Sequence, residues 1–142
     1  MIEFRGYAHG SADYQAALDL RLEVLRSPLG LTFDPADLAK EASEIHLGAF
    51  EGDRLVATLI LIPHGDEAKM RQVAVAPDRQ GQGIGGKLVA FSEDFARAAG
   101  FSAMALHARE TAVEFYERLG YTAYGEPFIE VTIPHRAMRR EL

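Results

Sequence analysis

Residues 70 to 88 read MRQVAVAPDRQGQGIGGKL, and the glycines in the second half set the chemistry. Gly81, Gly83, Gly85 and Gly86 fall within six positions, where an apolar strand runs into an amphipathic helix. Their backbone amides are not covered by side chains. A helix starting there also offers unpaired N–H groups and the positive end of its dipole to an anion. Four glycines so close together carry an entropic cost that a plain connector does not need, so the spacing points to a phosphate-bearing ligand.

Two common motifs match these letters and fail further along the chain. Gly81-x-Gly83-x-x-Gly86 fits a dinucleotide fingerprint, which needs an acidic residue roughly 20 positions on for the ribose hydroxyls. Position 101 is Phe101. Gly81-x-x-x-x-Gly86-Lys87 fits the start of a Walker A loop, whose next residue must carry a hydroxyl to ligate magnesium. That residue is Leu88, and no apolar strand ending in Asp follows.

A third spacing, Gln80-x-x-Gly83-x-Gly85, comes with two further segments in order: VAV (73 to 75) before the loop and AVEFYERLGY (112 to 121) after it. Together these resemble the GNAT superfamily of acetyl-CoA-dependent N-acetyltransferases. The resemblance implies that the backbone of Val73, Ala74 and Val75 pairs with the pantetheine arm of acetyl-CoA. It implies that the loop Arg79, Gln80, Gly81, Gln82, Gly83, Ile84, Gly85, Gly86 and Lys87 holds the pyrophosphate, and that Tyr116 is the general acid to the departing thiolate. Read without it, Tyr116 is a core aromatic at the edge of a stripe formed by Ala112, Phe115 and Leu119.

The parts suit acyl transfer from a thioester to a primary amine. The amine must be neutral to attack, the carbonyl oxygen gathers negative charge, and the sulfur leaves as a thiolate unless an acid meets it. The chain has no cysteine, so the acyl group must pass directly to the acceptor, with no Cys-bound intermediate. Residues 68 to 76 hold no carboxylate to serve as base, and Arg109 stands seven before Tyr116, where the family often has an Asn on the CoA arm; an Arg there is a cofactor-binding candidate that reaches a phosphate, or else it is solvated. The tail FIEVTIPHRAM (128 to 138) resembles a segment that ends one bacterial branch of the superfamily, which makes Glu130 and His135 candidates for the substrate amine. His46 and His64 read as surface histidines, and five scattered histidines without HxH or HExxH spacing argue against a metal site.

A chain of 142 residues fits a single domain, here 1 to 142. It has no apolar run long enough to span a membrane, and MIEFRGYAHG lacks a basic segment followed by an apolar one, so a cytoplasmic location is expected. The net charge of -6 argues against nucleic acid as a partner. Residues 1 to 67 hold 5 basic and 12 acidic side chains, whereas residues 68 to 87 hold Lys69, Arg71, Arg79 and Lys87 against Asp78 alone. The basic stretch thus coincides with the glycine loop. The expected acceptor is a small-molecule amine, and the resemblance leaves room for a homodimer. The alternative is an acyl-CoA-binding regulatory module that keeps the loop without catalysis.

The elements needed to position these residues follow from periodicity. IEFRGYA reads as a strand and Ser11 as the N-cap of a helix over 12 to 26 with Tyr14, Leu18, Leu22 and Leu25 inward. SPLGLTFDP reads as a loop, and Pro35 opens a short helix. A hairpin turns at Gly52-Asp53, and Pro63-His64-Gly65-Asp66 leads into the strand AKMRQVAVA. The next helix buries Ile84, Leu88, Phe91, Phe95 and Ala98 and ends at Gly100. Strand 102 to 108, helix 110 to 119 and strands 121 to 126 and 128 to 134 complete a mixed α/β fold, GNAT-like, with a mostly antiparallel central sheet flanked by helices.

Overall fold

A computed structural model describes residues 1–142 as one seven-stranded sheet in the order β1-β2-β3-β4-β5-β7-β6. The strands are β1 (Ile2–Gly6), β2 (Ile45–Glu51), β3 (Arg54–His64), β4 (Glu67–Val75), β5 (Ala103–Arg109), β6 (Thr122–Glu130) and β7 (Ile133–Glu141). All neighbours are antiparallel except β4 and β5, which run parallel. That exception follows from the helix inserted between them, since parallel strands need a crossover. The helices are α1 (Ala12–Arg21), α2 (Pro35–Lys40), α3 (Ile84–Ala98) and α4 (Val113–Arg118), and none is long and apolar enough to cross a membrane.

Two apolar clusters lie on opposite faces of the sheet. The larger one packs Ile84, Leu88 and Val89 of α3 and Tyr116 of α4 on Leu47, Leu59, Met70 and Met104, and the smaller packs Ala17 and Leu20 of α1 on Phe50, Leu55 and Ala74. Ser11 caps α1 by accepting from Tyr14 N–H, as expected, and Asp34 caps α2 ahead of Pro35.

The inward faces of two helices differ from those read off the sequence. On α1 the buried residues are Tyr14, Ala17, Leu20 and Arg21, while Leu18, Leu22 and Leu25 are only half-buried. Arg21 turns the face because its buried guanidinium pairs with Glu41 (2.7 and 2.8 Å), which also accepts from Tyr14 (2.7 Å). On α3 the stripe runs Ile84, Leu88, Val89, Ser92, Glu93 and Ala96, leaving Phe95 and Ala98 exposed. Glu93 is drawn inward by Tyr121 and Arg140, which donate to it at 2.8 and 2.9 Å.

Three other expectations also change. α1 does not run to residue 26 as regular helix; residues 22 to 26 form a widened π turn, followed by a tight turn at 27 to 29. His46 is buried rather than on the surface, with its Nε2–H donating to the Glu41 carbonyl at 2.8 Å. The stretch 128 to 134 is not one strand but a hairpin between β6 and β7, turning at Val131-Thr132, both at positive φ (51° and 63°). β-branched residues rarely take that conformation, so the turn is strained.

Candidate active site

The site begins where β4 and β5 part. Their pairing stops at Met70 and Leu106, yet β4 continues to Val75 and β5 to Arg109, so the backbone of β4 faces an opening. On its other side β4 bulges against β3: Thr58 faces Ala74 and Ile60 faces Arg71, with Gln72 at φ 57° in the extra residue. A bulge bends and twists its strand, here directly beside the opening.

The glycine loop follows β4. Gly83 takes φ 80° at the N-cap of α3 and provides no side-chain cap. The first bond closing the helix is from Lys87 N–H to the Gly83 carbonyl at 3.1 Å, so the amides of Ile84, Gly85 and Gly86 have no intrahelical acceptor. Gly85 has a different constraint from Gly83. A Cβ at Gly85 would lie 3.3 Å from Val75 Cγ2 and 3.6 Å from Phe115, whereas a Cβ at Gly83 would meet nothing within 4 Å. Gly85 thus lets α3 press on the end of β4 and on α4. The Arg79 guanidinium is turned to the β2–β3 hairpin, donating to Glu51 at 2.6 and 3.2 Å, and Gln80 donates to the Val75 carbonyl at 3.0 Å.

The segment FYERLGY positions Tyr116 through its main chain. α4 ends with Gly120 at φ 96°; Gly120 N–H bonds to the Glu117 carbonyl and Tyr121 N–H to the Tyr116 carbonyl, both 3.0 Å. That pair of hydrogen bonds with a left-handed glycine is the Schellman arrangement. Phe115 and Tyr121 hold the Tyr116 ring edge-on, at 5.0 and 5.8 Å between centroids. The Tyr116 side chain is nearly buried, and burial pushes its phenol up to about 12. Its hydroxyl is left without a partner in the protein, and the residue lines a cavity of about 620 Å³.

The same cavity is lined by His107, Glu130 and His135. Glu130 accepts from His107 Nδ1 at 3.1 Å and lies 3.6 Å from His135 Nε2. A carboxylate only accepts, so His107 Nδ1–H is the donor in this bond and Nε2 is the ring nitrogen left free. His135 donates Nδ1–H to the Ile133 carbonyl at 2.8 Å. Burial raises the Glu130 carboxyl, but the His107 hydrogen bond and the nearby His107, His135 and Arg71 outweigh it and hold the group below its ordinary value. Val24, Leu25 and Arg26 of the widened turn also line the cavity, and Arg109 donates to the Leu25 carbonyl at 3.2 Å.

The sequence model of the Acetyltransferase (GNAT) family matches residues 13–121. The chain belongs to the GNAT acetyltransferase family. It is 31% identical over 98 residues to an uncharacterized acetyltransferase of Streptococcus pyogenes, spanning 68% of this chain and 67% of that one. Among solved structures it is similar to a putative N-acetyltransferase from Lactobacillus plantarum, with TM-score 0.88 and 25% identity over 99% of this chain and 98% of the other. An acyl-CoA N-acyltransferase from Pseudomonas aeruginosa superposes with TM-score 0.85 and 25% identity over 99% of both chains. The protein is accordingly an acyltransferase of the acyl-CoA-dependent kind.

This GNAT enzyme brings together Val73, Gln80, Arg109, Tyr116, Glu130 and His135 in one cavity. Ala74 and Ile84 point their side chains into the two apolar clusters and offer only backbone, Val75 packs on Gly85, and Gly81, Gln82 and Lys87 are exposed on the loop and first helical turn. Sequence reasoning missed His107 and Arg26, and counted Arg71 only among the cations beside the glycine loop. His107 was within reach: it stands two before Arg109 on β5, so strand alternation puts both on one face. Arg71 shares that face because Ala68 and Met70 pack into the opposite cluster.

Proposed function

We propose that the chain moves an acetyl group from acetyl-CoA directly to the primary amine of a small molecule in a ternary complex, with Tyr116 as general acid and His107, oriented by Glu130, as general base. The observation that carries the reading is that a Tyr116 with no hydrogen-bond partner in the protein and a carboxylate-held His107 imidazole line one cavity, which Gln80 of the glycine loop also reaches. The amine nitrogen attacks the thioester carbon and loses a proton to His107 Nε2. A backbone N–H at the β4 bulge, around Gln72 and Val73, receives the oxyanion, as donors fixed in advance do. The C–S bond then breaks, and the Tyr116 proton goes to the sulfur, giving an amide and free CoA thiol. The imidazole returns its proton, and the phenol regains one, through solvent.

The pantetheine arm is read against the free backbone of Val73, Ala74 and Val75, and the pyrophosphate against the loop from Arg79 to Lys87. Glu130 and His135 then line the acceptor end. The absence of cysteine supports direct transfer. A cytoplasmic location and a homodimeric assembly complete the proposal.

Thermal stabilisation by acetyl-CoA, ATP and NAD in parallel tests the cofactor. A ligand at ~100 times its Kd adds ~2.7 kcal/mol, or roughly 5 to 10 °C at this size. Stabilisation by acetyl-CoA alone, followed by intersecting initial-velocity lines with an amine, supports the reading. A response to ATP or NAD alone sinks it, and acetyl-CoA binding with no turnover on any amine favours the regulatory module.

A further inference from the structure

The cavity wall is strongly unbalanced in charge. It carries Arg26, Lys69, Arg71 and Arg109 against Glu130 as the one carboxylate, in a chain of net charge -6. Arg109 is engaged with the Leu25 carbonyl. Arg26, Lys69 and Arg71 take part in none of the ion pairs of the molecule, although the chain has more acids than bases.

Two of these cations stand at a junction. Arg26 and Arg71 line both the main cavity and an adjoining hollow of about 260 Å³ between the widened turn and α2. The hollow also contains Arg21, whose charge is satisfied by Glu41 and whose guanidinium lies over the Phe33 ring at 5.0 Å, with Arg26 over the same ring at 5.1 Å. Arg21 Nε is buried without a partner. Besides Glu41, the acids of the hollow are Asp34, Asp37 and Glu44; Asp37 pairs with Lys40 at 3.8 Å, and none of the four comes within bridging distance of Arg26 or Arg71. Burial and the charges of Arg21 and Arg71 lower the affinity of Arg26 for its proton. At this junction Arg26 is half-buried and Arg71 exposed, and like charges brought together there stabilise an anion placed between them.

That anion need not belong to CoA. Of the glycine loop only Gln80 reaches the cavity, and the free amides of Ile84, Gly85 and Gly86 lie outside its lining. Arg71 and His107 share one face of the sheet, so a ligand spanning them sets an anionic group beside its reacting nitrogen.

We propose that the acceptor is an amine that carries its own anionic group, with the anion held by Arg26 and Arg71 while the amine faces His107 and Glu130. This rests on the acetyl-transfer reading and names its substrate class. The test uses matched pairs of amines with and without an acidic group: lysine against cadaverine, tyrosine against tyramine, and phosphoethanolamine against ethanolamine. The first two pairs report a carboxylate and the third a phosphate. In at least one pair kcat/KM is expected to favour the acidic member by about tenfold or more, the value of one charge-assisted hydrogen bond. Arg26→Gln and Arg71→Gln should each collapse that ratio by raising KM for the acidic member more than for its neutral partner, with acetyl-CoA stabilisation retained as evidence of folding. Turnover with equal or better use of the neutral members in all three pairs overturns the substrate class and leaves acetyl transfer standing. Failure of acetyl-CoA to stabilise the wild-type chain overturns both.

Discussion

Tyr116→Phe removes a single oxygen, and the structure says what that oxygen does not do. It makes no hydrogen bond in the protein, while the ring keeps its contacts with Phe115 and Tyr121. Folding stability should therefore change by less than ~0.5 kcal/mol. The catalytic cost follows from acidity. With the phenol pushed up to about 12 by burial, the group stays protonated across any practical assay pH. It is also a weak donor to a thiolate whose conjugate acid has a pKa of ~8.5 in water, a gap of roughly 3.5 pKa units or ~4.8 kcal/mol. The same desolvation acts on a thiolate formed in that cavity and narrows the gap.

General acids contribute ~10²- to 10⁴-fold, and a donor this weakly acidic belongs at the lower end, so turnover should fall by about 10², or ~2.7 kcal/mol. The assay pairs kcat on an accepted amine with the melting temperature in the presence and absence of acetyl-CoA. Turnover within about threefold of wild type would refute Tyr116 as the acid. A parallel loss of acetyl-CoA stabilisation would instead show that the hydroxyl binds rather than donates.

Gly85→Ala should cost ~1–3 kcal/mol by driving a Cβ to 3.3 Å from Val75 Cγ2, and adding Val75→Ala should recover most of it in a denaturant titration; no recovery contradicts the packing account. Glu41→Gln leaves Arg21, at 1% side-chain exposure, without its counter-ion, so unfolding should become easier by ~3–5 kcal/mol in urea, and a loss under ~1 kcal/mol would mean the pair is dispensable. Burial holds the His46 imidazole below its ordinary range despite the Glu41 carbonyl and carboxylate, so the unfolded chain protonates there first as pH drops through ~6.5. Stability should fall from that point until the folded form is protonated too, and His46→Gln should flatten this limb of the melting curve against pH; an unaltered slope assigns the limb elsewhere. Val131→Asn with Thr132→Gly relieves two β-branched residues at φ 51° and 63° and should stabilise by ~1–3 kcal/mol, whereas a lower urea midpoint would show that the turn is not strained.

The legible parts of the site are those the chain builds from its own neighbours. The run from VAVAP through the glycines to α3 is local in sequence, so its strand, loop and helix could be placed from residue types alone. The same holds for FYERLGY, where Gly120 ends α4 one turn after Tyr116. Gly85 was legible as a close approach but not as to what: the residue it admits is Val75, ten positions earlier, rather than a ligand.

What stayed hidden depends on partners from distant segments. Periodicity assumes that an inward position is apolar, and α1 breaks the assumption because Glu41 supplies a counter-charge twenty residues away that makes Arg21 an interior residue. α3 breaks it again at Glu93, which Tyr121 and Arg140 reach from α4's end and β7. The base side of the site has the same origin. Glu130 meets His107 only because β7 lies between β5 and β6, with Arg109 opposite His135 and Glu130 opposite Ile133 across a turn at Val131-Thr132. Neither β-branched residue signals a left-handed turn, so the sequence spacing that brings the carboxylate to the imidazole was invisible until strand order was known. Replacing that turn by Asn-Gly therefore does more than test strain: it asks whether the energy stored there holds Glu130 against His107, and a stabilised variant with reduced turnover would answer that it does.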